Sequence, residues 1–457
     1  VQPQSYNYSP AVMDDGDVIK AWWCSASSLP GQATDQIWYQ EYNKTTKQYS
    51  NRRSILQTGK PGDWDTFGVC HPSVIKGEWP GAPGGGNFTY AMYYTSTNVA
   101  QGGGSNNSTG VIFSTDGINW VGQHDKRNPV IKQKVPNVPG TYGAGLPAAW
   151  SNGGSSVTVF WSDTTWEKST DPSIPGYRSH SVYATAPDGI HFSKPTLVAP
   201  TGVPGYWKND FAFDQATPAQ VYSAQAGTFR KGAPDEKSET YNFGIYKIAK
   251  DPMLAGTGTW STLGVVDTNL TGLPLNFEPG LVRTPTGAIA GDPAKEGITV
   301  WFGGGSGLPT TWQLHKVTLM PNQSKATVFR YSDGAGAYWT TSGYAPASFK
   351  AKAKAVVDLP AHASEANQYG VYSCLKGPMA TDAEGHLTGQ GAVEYVSMDM
   401  TCGGDTVLGV NGYASIDPSP GATVLYACKD GAAPFVSTDA KCEGKTVDKP
   451  LGYVAAG

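Results

Sequence analysis

The same pair of short strands recurs five times in this chain, an inner run followed by an aromatic-rich run, and that recurrence limits the fold more than any other feature. The inner runs are Ser9-Pro-Ala-Val-Met13, His71-Pro-Ser-Val-Ile75, Leu146-Pro-Ala-Ala-Trp150, Asp210-Phe-Ala-Phe-Asp214 and Glu278-Pro-Gly-Leu-Val282. Apolar second runs follow, such as Val18-Ile-Lys-Ala-Trp-Trp23 and Val157-Thr-Val-Phe-Trp161. A third strand recurs as well, and two copies end almost identically, in Ser114-Thr-Asp-Gly-Ile-Asn-Trp120 and Thr185-Ala-Pro-Asp-Gly-Ile-His-Phe192. Asp-Gly between apolar stretches is a strong hairpin signal. Starts at 9, 71, 146, 210 and 278 leave roughly 60 to 75 residues per copy, enough for a four-stranded blade with one long loop. The expected fold is all-β: a five-bladed β-propeller over residues 1–345, followed by a small disulfide-stapled β-rich repeat domain over 346–457.

Composition agrees with short strands and many turns: 57 Gly, 33 Pro, 24 Tyr and 14 Trp, with only 15% charged residues. No stretch keeps a 3.6-residue apolar period, so helix should be scarce. A net charge of −4 argues against nucleic acid as partner, and no apolar run is long enough to span a bilayer as a helix. The chain opens on Val-Gln-Pro-Gln, which reads as a mature or trimmed start. Six cysteines point to an oxidising, extracellular setting. Sequons at Asn7, Asn43, Asn87, Asn106, Asn107, Asn269 and Asn322 permit glycans in a host that adds them.

A second repeat, offset by 40 residues, fills the C-terminal region. Tyr395-Val-Ser-Met-Asp-Met-Thr-Cys402 aligns with Phe435-Val-Ser-Thr-Asp-Ala-Lys-Cys442, and each copy has a preceding Tyr-x-Cys at Cys374 and Cys428. Within-repeat bridges, Cys374–Cys402 and Cys428–Cys442, are the simplest pairing, each contributing roughly 3 kcal/mol by loop entropy. Cys24 and Cys70 remain to join blades one and two. A zinc site lacks any Cys-x-x-Cys or His cluster, so no metal and no cofactor is expected. A degenerate third copy is suggested between Tyr331 and Tyr344, and 350–357 reads as a linker or a strand returning to the propeller. Such an appended domain is an adhesive or glycan-binding accessory, or a structural cap.

In a propeller the heads of the innermost strands line the mouth of a central channel. Here these are Ser9, His71, Leu146, Asp210 and Glu278. A carboxylate there, among aromatic walls, has its proton affinity tuned by desolvation. The inner x-Pro-Ser-Val-Ile motif, the aromatic second strand and the Ser-x-Asp-Gly-Ile-x-Trp third strand together resemble the five-bladed arabinanase, β-xylosidase and β-fructosidase superfamily of glycoside hydrolases. The resemblance implies hydrolysis of a poly- or oligosaccharide by carboxylates at the funnel. Those enzymes typically carry Asp in the first two blades and Glu in the third; Ser9, His71 and Leu146 stand there in this chain.

Two readings follow from that departure. In the first, Asp210 and Glu278 form a relocated acid/base pair, with His71 as a third polar participant and Ser9, Trp23, Asp163, Trp166, Trp207 and Asn209 contacting sugar. In the second, the funnel binds glycan without cleaving it. Asp116 and Asp188 read as turn residues, the Asp14-Asp-Gly-Asp17 cluster as a hairpin turn, and Arg178, Arg230 and Arg283 as the candidates for an anion clamp.

Overall fold

In the computed structural model, residues 6–26, 34–98, 106–136, 138, 141–168, 176–198, 209–216, 219–226, 242–306, 312–320, 323–350, 353–362 and 367–455 are described. The chain divides into two compact units, one of Val1–Val265, Phe277–Gly304 and Pro309–Pro321, the other of Val266–Asn276, Gly305–Leu308 and Asn322–Gly457.

The first unit is the propeller. Blade one holds β1 (Asn7–Asp15), β2 (Val18–Ala26), β3 (Asp35–Asn43) and β4 (Gln48–Leu56), and blade two β5 (Val69–Trp79), β6 (Phe88–Ser96), β7 (Ser108–Ser114) and β8 (Trp120–Val121). Blade three holds β9 (Ala144–Gly153), β10 (Ser156–Lys168), β11 (Tyr177–Ala186) and β12 (Thr196–Leu197). Blade four holds β13 (Asn209–Phe213), β14 (Gln220–Ala226), β15 (Phe243–Ala249) and β16 (Ser261–Val266), with α1 (Lys250–Leu254) beside it. Blade five consists of β17 (Leu275–Arg283), β18 (Ile298–Gly305) and β19 (Gln313–Leu319). It therefore has three strands among the described residues, not the four expected, because the next strand belongs to the other unit.

Parallel pairing of β1 with β17, Val12 against Val282 and Met13 against Arg283, closes the ring. The approach is so tight that a Cβ on Gly280 would lie 1.9 Å from the Pro10 carbonyl oxygen, and only glycine fits.

Apolar clusters between neighbouring blades hold the ring. Ile75, Trp79, Tyr93 and Val159 pack between blades two and three, Trp22, Tyr39, Met92 and Ile112 between one and two, and Trp150, Phe160 and Phe211 between three and four. Each such side chain contributes about 1.5–3 kcal/mol on burial. The recurring Asp-Gly hairpins latch adjacent blades: Trp22 Nε1 donates to the Gly117 carbonyl at 2.9 Å and Tyr93 Oη to that of Gly189 at 2.7 Å. Asp116 and Asp188 cap these turns through the amides of residues two and three positions on, as turn chemistry requires.

The second unit is a threefold repeat. Its copies are β20 (Lys325–Ser332), β21 (Tyr338–Thr341) and β22 (Lys354–Pro360); β23 (Gln368–Lys376), β24 (Val393–Ser397) and β25 (Thr406–Ser415); and β26 (Ala422–Asp430), β27 (Ala433–Ser437) and β28 (Thr446–Ala455). In each copy the first strand is central and its pairing with the third shifts register at the same place, after Val328, Val371 and Leu425. The degenerate third copy is thus a full repeat, and 354–357 belongs to its third strand rather than to a linker or a propeller strand. Contacts accordingly group the chain from Asn322 onward with the repeats, some twenty residues ahead of the sequence boundary. The bridges are Cys374–Cys402, Cys428–Cys442 and, between blades one and two, Cys24–Cys70.

Candidate active site

Proline shapes the mouth of the channel. Ser9, His71, Leu146 and Glu278 each precede a proline, and all four adopt a left-handed backbone, with φ of 52, 50, 62 and 46°. That conformation costs non-glycine residues about 1–3 kcal/mol and persists only where the surroundings enforce it. The ladders skip three of them: β1 pairs through Tyr8 and then Ala11, β5 through Cys70 and then Ser73, and β9 through Gly145 and then Ala148. Ser9, His71 and Leu146 therefore sit in β-bulges, which re-aim the side chain and accommodate a proline inside a sheet, and Glu278 shares their backbone conformation.

His71 and Glu278 meet across the ring. His71 Nε2 stands 3.2 Å from both Oε1 and Oε2 of Glu278, and each residue is only 7% exposed. Tyr142 Oη lies 3.2 Å from His71 Nδ1. Tyr142 and Glu278 thus hold the two ring nitrogens of His71 from opposite sides. The His71 amide contacts Cys24 Sγ at 2.8 Å, so the Cys24–Cys70 bridge anchors the backbone beneath the ring. Gly145 leaves room for Tyr142, since a Cβ there would lie 2.6 Å from Thr95 and 3.0 Å from the Tyr142 ring.

A second carboxyl joins them. Asp35, at the head of β3, accepts a 2.8 Å hydrogen bond from Tyr8 Oη. Its surface is not wholly covered, yet desolvation is the largest influence on it and holds its pKa above the ordinary aspartate value. The nearby Glu278 adds to that rise, while Tyr8 and His71 oppose it. Burial likewise raises the Tyr8 and Tyr142 hydroxyls, with Asp35 and Glu278 contributing to both. Aromatic rings wall this group. Tyr6 stacks on Tyr8 at 4.5 Å, Trp312 lies 5.1 Å from Tyr6 and 5.0 Å from Phe277, and Tyr8 meets the edge of His71 at 6.1 Å.

Asp210 has a different situation from the one the sequence suggested. It lacks a following proline, its ladder runs unbroken from Asn209 to Phe213, and its side chain follows plain strand alternation. One oxygen accepts the Leu281 amide at 2.8 Å, and the other lies 3.4 Å from Arg283 Nη1 and 3.1 Å from its neighbour's amide. Arg283, 3% exposed, also donates to the carbonyls of Ala149 and Phe211 and to Ser73 Oγ. The pair is a buried strut joining blades two to five. Arg283 is thereby committed to the channel rather than to an anion clamp.

The expected sugar contacts are dispersed. Ser9 is buried at its bulge. Trp23 is buried in the core between blades one and five and donates to Asn7 Oδ1 at 2.7 Å. Asp163 caps a loop, accepting from the amides of Lys134 and Thr165. Trp166 packs beneath Lys134, whose Nζ sits 4.3 Å from its ring centroid. Asn209 starts β13 opposite Gln225, and Trp207 lies outside the described residues. Asp35, Tyr8, Tyr142, Phe277 and Trp312 went unnoticed in the sequence.

Among the described residues one trio could hold a metal ion, Asp382, Glu384 and His386. It sits in a turn of the second unit where Asp382 Oδ1 already accepts the His386 amide at 2.8 Å.

No family model matches the sequence, and no curated protein does. Among solved structures the chain is similar to the catalytic domain of a family GH62 α-L-arabinofuranosidase of Coprinopsis cinerea, with 12% identity over 70% of this chain and 92% of that one and a TM-score of 0.40. It is also similar to Zg3597, a family 117 glycoside hydrolase of the marine bacterium Zobellia galactanivorans, with 12% identity over 68% and 83% and a TM-score of 0.44. A third is CoXyl43, a β-xylosidase/α-arabinofuranosidase from a compost microbial metagenome in complex with xylotriose, with 10% identity over 70% and 92% and a TM-score of 0.44. Likeness at this level decides nothing about chemistry, which rests on the residues themselves.

Proposed function

We propose that the funnel is the active site of an extracellular glycoside hydrolase acting on a poly- or oligosaccharide, with Glu278 and Asp35 as its two carboxyl groups. The observation that carries this reading is the Glu278–His71 contact at the mouth, held by two left-handed backbones, within the electrostatic reach of a second carboxyl and among aromatic rings. Strain of that kind is retained where function requires it, and glycosidic cleavage requires two carboxyls of unlike proton affinity.

Asp35 holds its proton more tightly than an ordinary aspartic acid and is assigned the general acid, giving that proton to the leaving sugar oxygen as the glycosidic bond breaks. Glu278 supplies negative charge opposite the oxocarbenium-like carbon. One water is consumed: its hydroxyl ends on the anomeric carbon and its proton restores the acid. His71, fixed by Tyr142, orients Glu278, while Tyr6, Tyr8, Phe277 and Trp312 offer faces and edges for sugar rings. Asp210 is reassigned from acid/base work to the strut. The three disulfides accord with an extracellular protein, and the second unit is read as a glycan- or surface-binding accessory.

The test is a panel of plant, fungal and bacterial polysaccharides with product detection. Released sugar from at least one glycan, abolished in Glu278→Gln, supports hydrolysis. Binding without product from any glycan favours a lectin-like funnel.

A further inference from the structure

The sequons differ sharply in what surrounds the atom that would be modified. An N-linked glycan attaches to the asparagine Nδ2, which must therefore face solvent in the folded protein. At Asn7, buried, Nδ2 donates to the Trp312 carbonyl at 3.2 Å while Oδ1 accepts from Trp23. At Asn269, also buried, Nδ2 donates to the Val410 carbonyl and to Asn411 Oδ1, both at 3.2 Å, and Oδ1 accepts from Thr341 Oγ1 at 2.7 Å. Asn107 is buried, with its backbone N–H bonded to the Tyr142 carbonyl and its backbone carbonyl to the Ala144 amide at the start of β9. A sugar on any of these three would have to break the packing around it.

Asn43 and Asn87 present the opposite picture. Asn43 ends β3 at the hairpin into β4, and its Oδ1 accepts from the Thr45 and Thr46 amides at 2.9 and 2.8 Å. The turn thus uses the oxygen and leaves Nδ2 without a partner among the described residues, two positions before the exposed Thr45 of the sequon. Asn87 is itself exposed, as is Thr89. Further back in the loop a Cβ on Gly81, Gly84 or Gly85 would meet nothing within 4 Å, and one on Gly86 would meet the ring of Phe88.

We propose that Asn43 and Asn87 are N-glycan acceptors when the chain passes through a glycosylating secretory pathway, and that Asn7, Asn107 and Asn269 are closed to it. In the transfer, Nδ2 bonds to the anomeric carbon of an oligosaccharide while that carbon's bond to the pyrophosphate of a lipid carrier breaks. The amide loses one proton and nothing is oxidised or reduced. Asn43 lies at the β3–β4 turn of blade one and Asn87 in the β5–β6 loop of blade two, each at the end of its strands away from the mouth, so the sugars add bulk and solubility without touching His71 or Glu278.

The test is secretion of the full chain from a yeast host, trimming with an endoglycosidase that leaves one sugar on each occupied asparagine, and peptide mapping of the folded fraction by mass spectrometry. Tags on both Asn43 and Asn87, with none on Asn7, Asn107 or Asn269, are expected. An untagged Asn43 or Asn87, or a tag on any of the three buried asparagines, overturns the proposal. The double variant Asn43→Gln/Asn87→Gln should be secreted without those two tags and keep the parental thermal midpoint to within about 1 °C. Persistence of the same two tags would expose a misassignment of the peptides, and a large drop in midpoint would show that these asparagines are packed rather than open.

Discussion

Replacing Asp210 separates a structural carboxylate from a catalytic one. Its charge is matched by Arg283, a guanidinium buried to 3% exposure and bonded to three other blades. Asp210→Ala leaves that guanidinium without its counter-charge and frees the Leu281 amide. Breaking one side of a buried pair costs about 3–5 kcal/mol, and for a unit of this size each kcal/mol lowers the thermal midpoint by roughly 2 °C. The propeller transition should fall by roughly 6–10 °C in a calorimetric scan. Asp210→Ala/Arg283→Met, which replaces the pair by apolar groups, should recover most of that loss, since such exchanges are often near neutral. Asp210→Asn should be destabilised too, with turnover at low temperature reduced less than tenfold. The reasoning is refuted if Asp210→Asn keeps its midpoint within about 1 °C while turnover drops by orders of magnitude, because that is the signature of an acid or base.

Two further outcomes follow from the same structure. Tyr142→Phe removes the hydroxyl that holds the His71 ring against Glu278, at a cost of about 1–1.5 kcal/mol for one hydrogen bond; kcat/KM should fall roughly tenfold, whereas an unchanged kcat/KM would reduce Tyr142 to packing. In the second unit, burial pushes the pKa of Glu394 up to about 8 and that of Asp267 to about 7. Because the folded values exceed the unfolded ones, the unit is favoured in acid and loses stability as pH rises from about 4.5 toward 8. The denaturation midpoint of its transition should be higher at pH 5 than at pH 8, and Glu394→Gln should flatten that slope; a wild-type midpoint rising with pH would contradict the assignment.

The ring was legible because its signals are local and repeated: five inner runs, and Asp-Gly turns that recur where the blades latch together. The cysteine pairing was legible for the same reason, as matched spacing in tandem copies. The site was only half legible. His71 and Glu278 stood out as heads of repeated strands, and the proline after each marked the left-handed backbone that both adopt. Asp210 occupies the same register but lacks that proline, which is the sequence difference that separates a strut from a mouth residue. Asp35 and Tyr142 carry no local signature, since one opens a third strand and the other sits in a loop. Both reach the site through contacts between residues distant in sequence. Trp23 and Asp163 misled because aromatic and acidic residues at strand ends serve cores and caps as readily as ligands. The first C-terminal copy was obscured because its bridge is absent and Tyr331 and Trp339 pack in that place.

The most direct test of the central claim is a paired measurement on Glu278→Gln with a glycan the parent protein cleaves: turnover, and affinity by calorimetric titration. Turnover reduced by about a thousandfold or more, with Kd within a few-fold of the parental KM, is the expected result. Undiminished cleavage by the variant would contradict it.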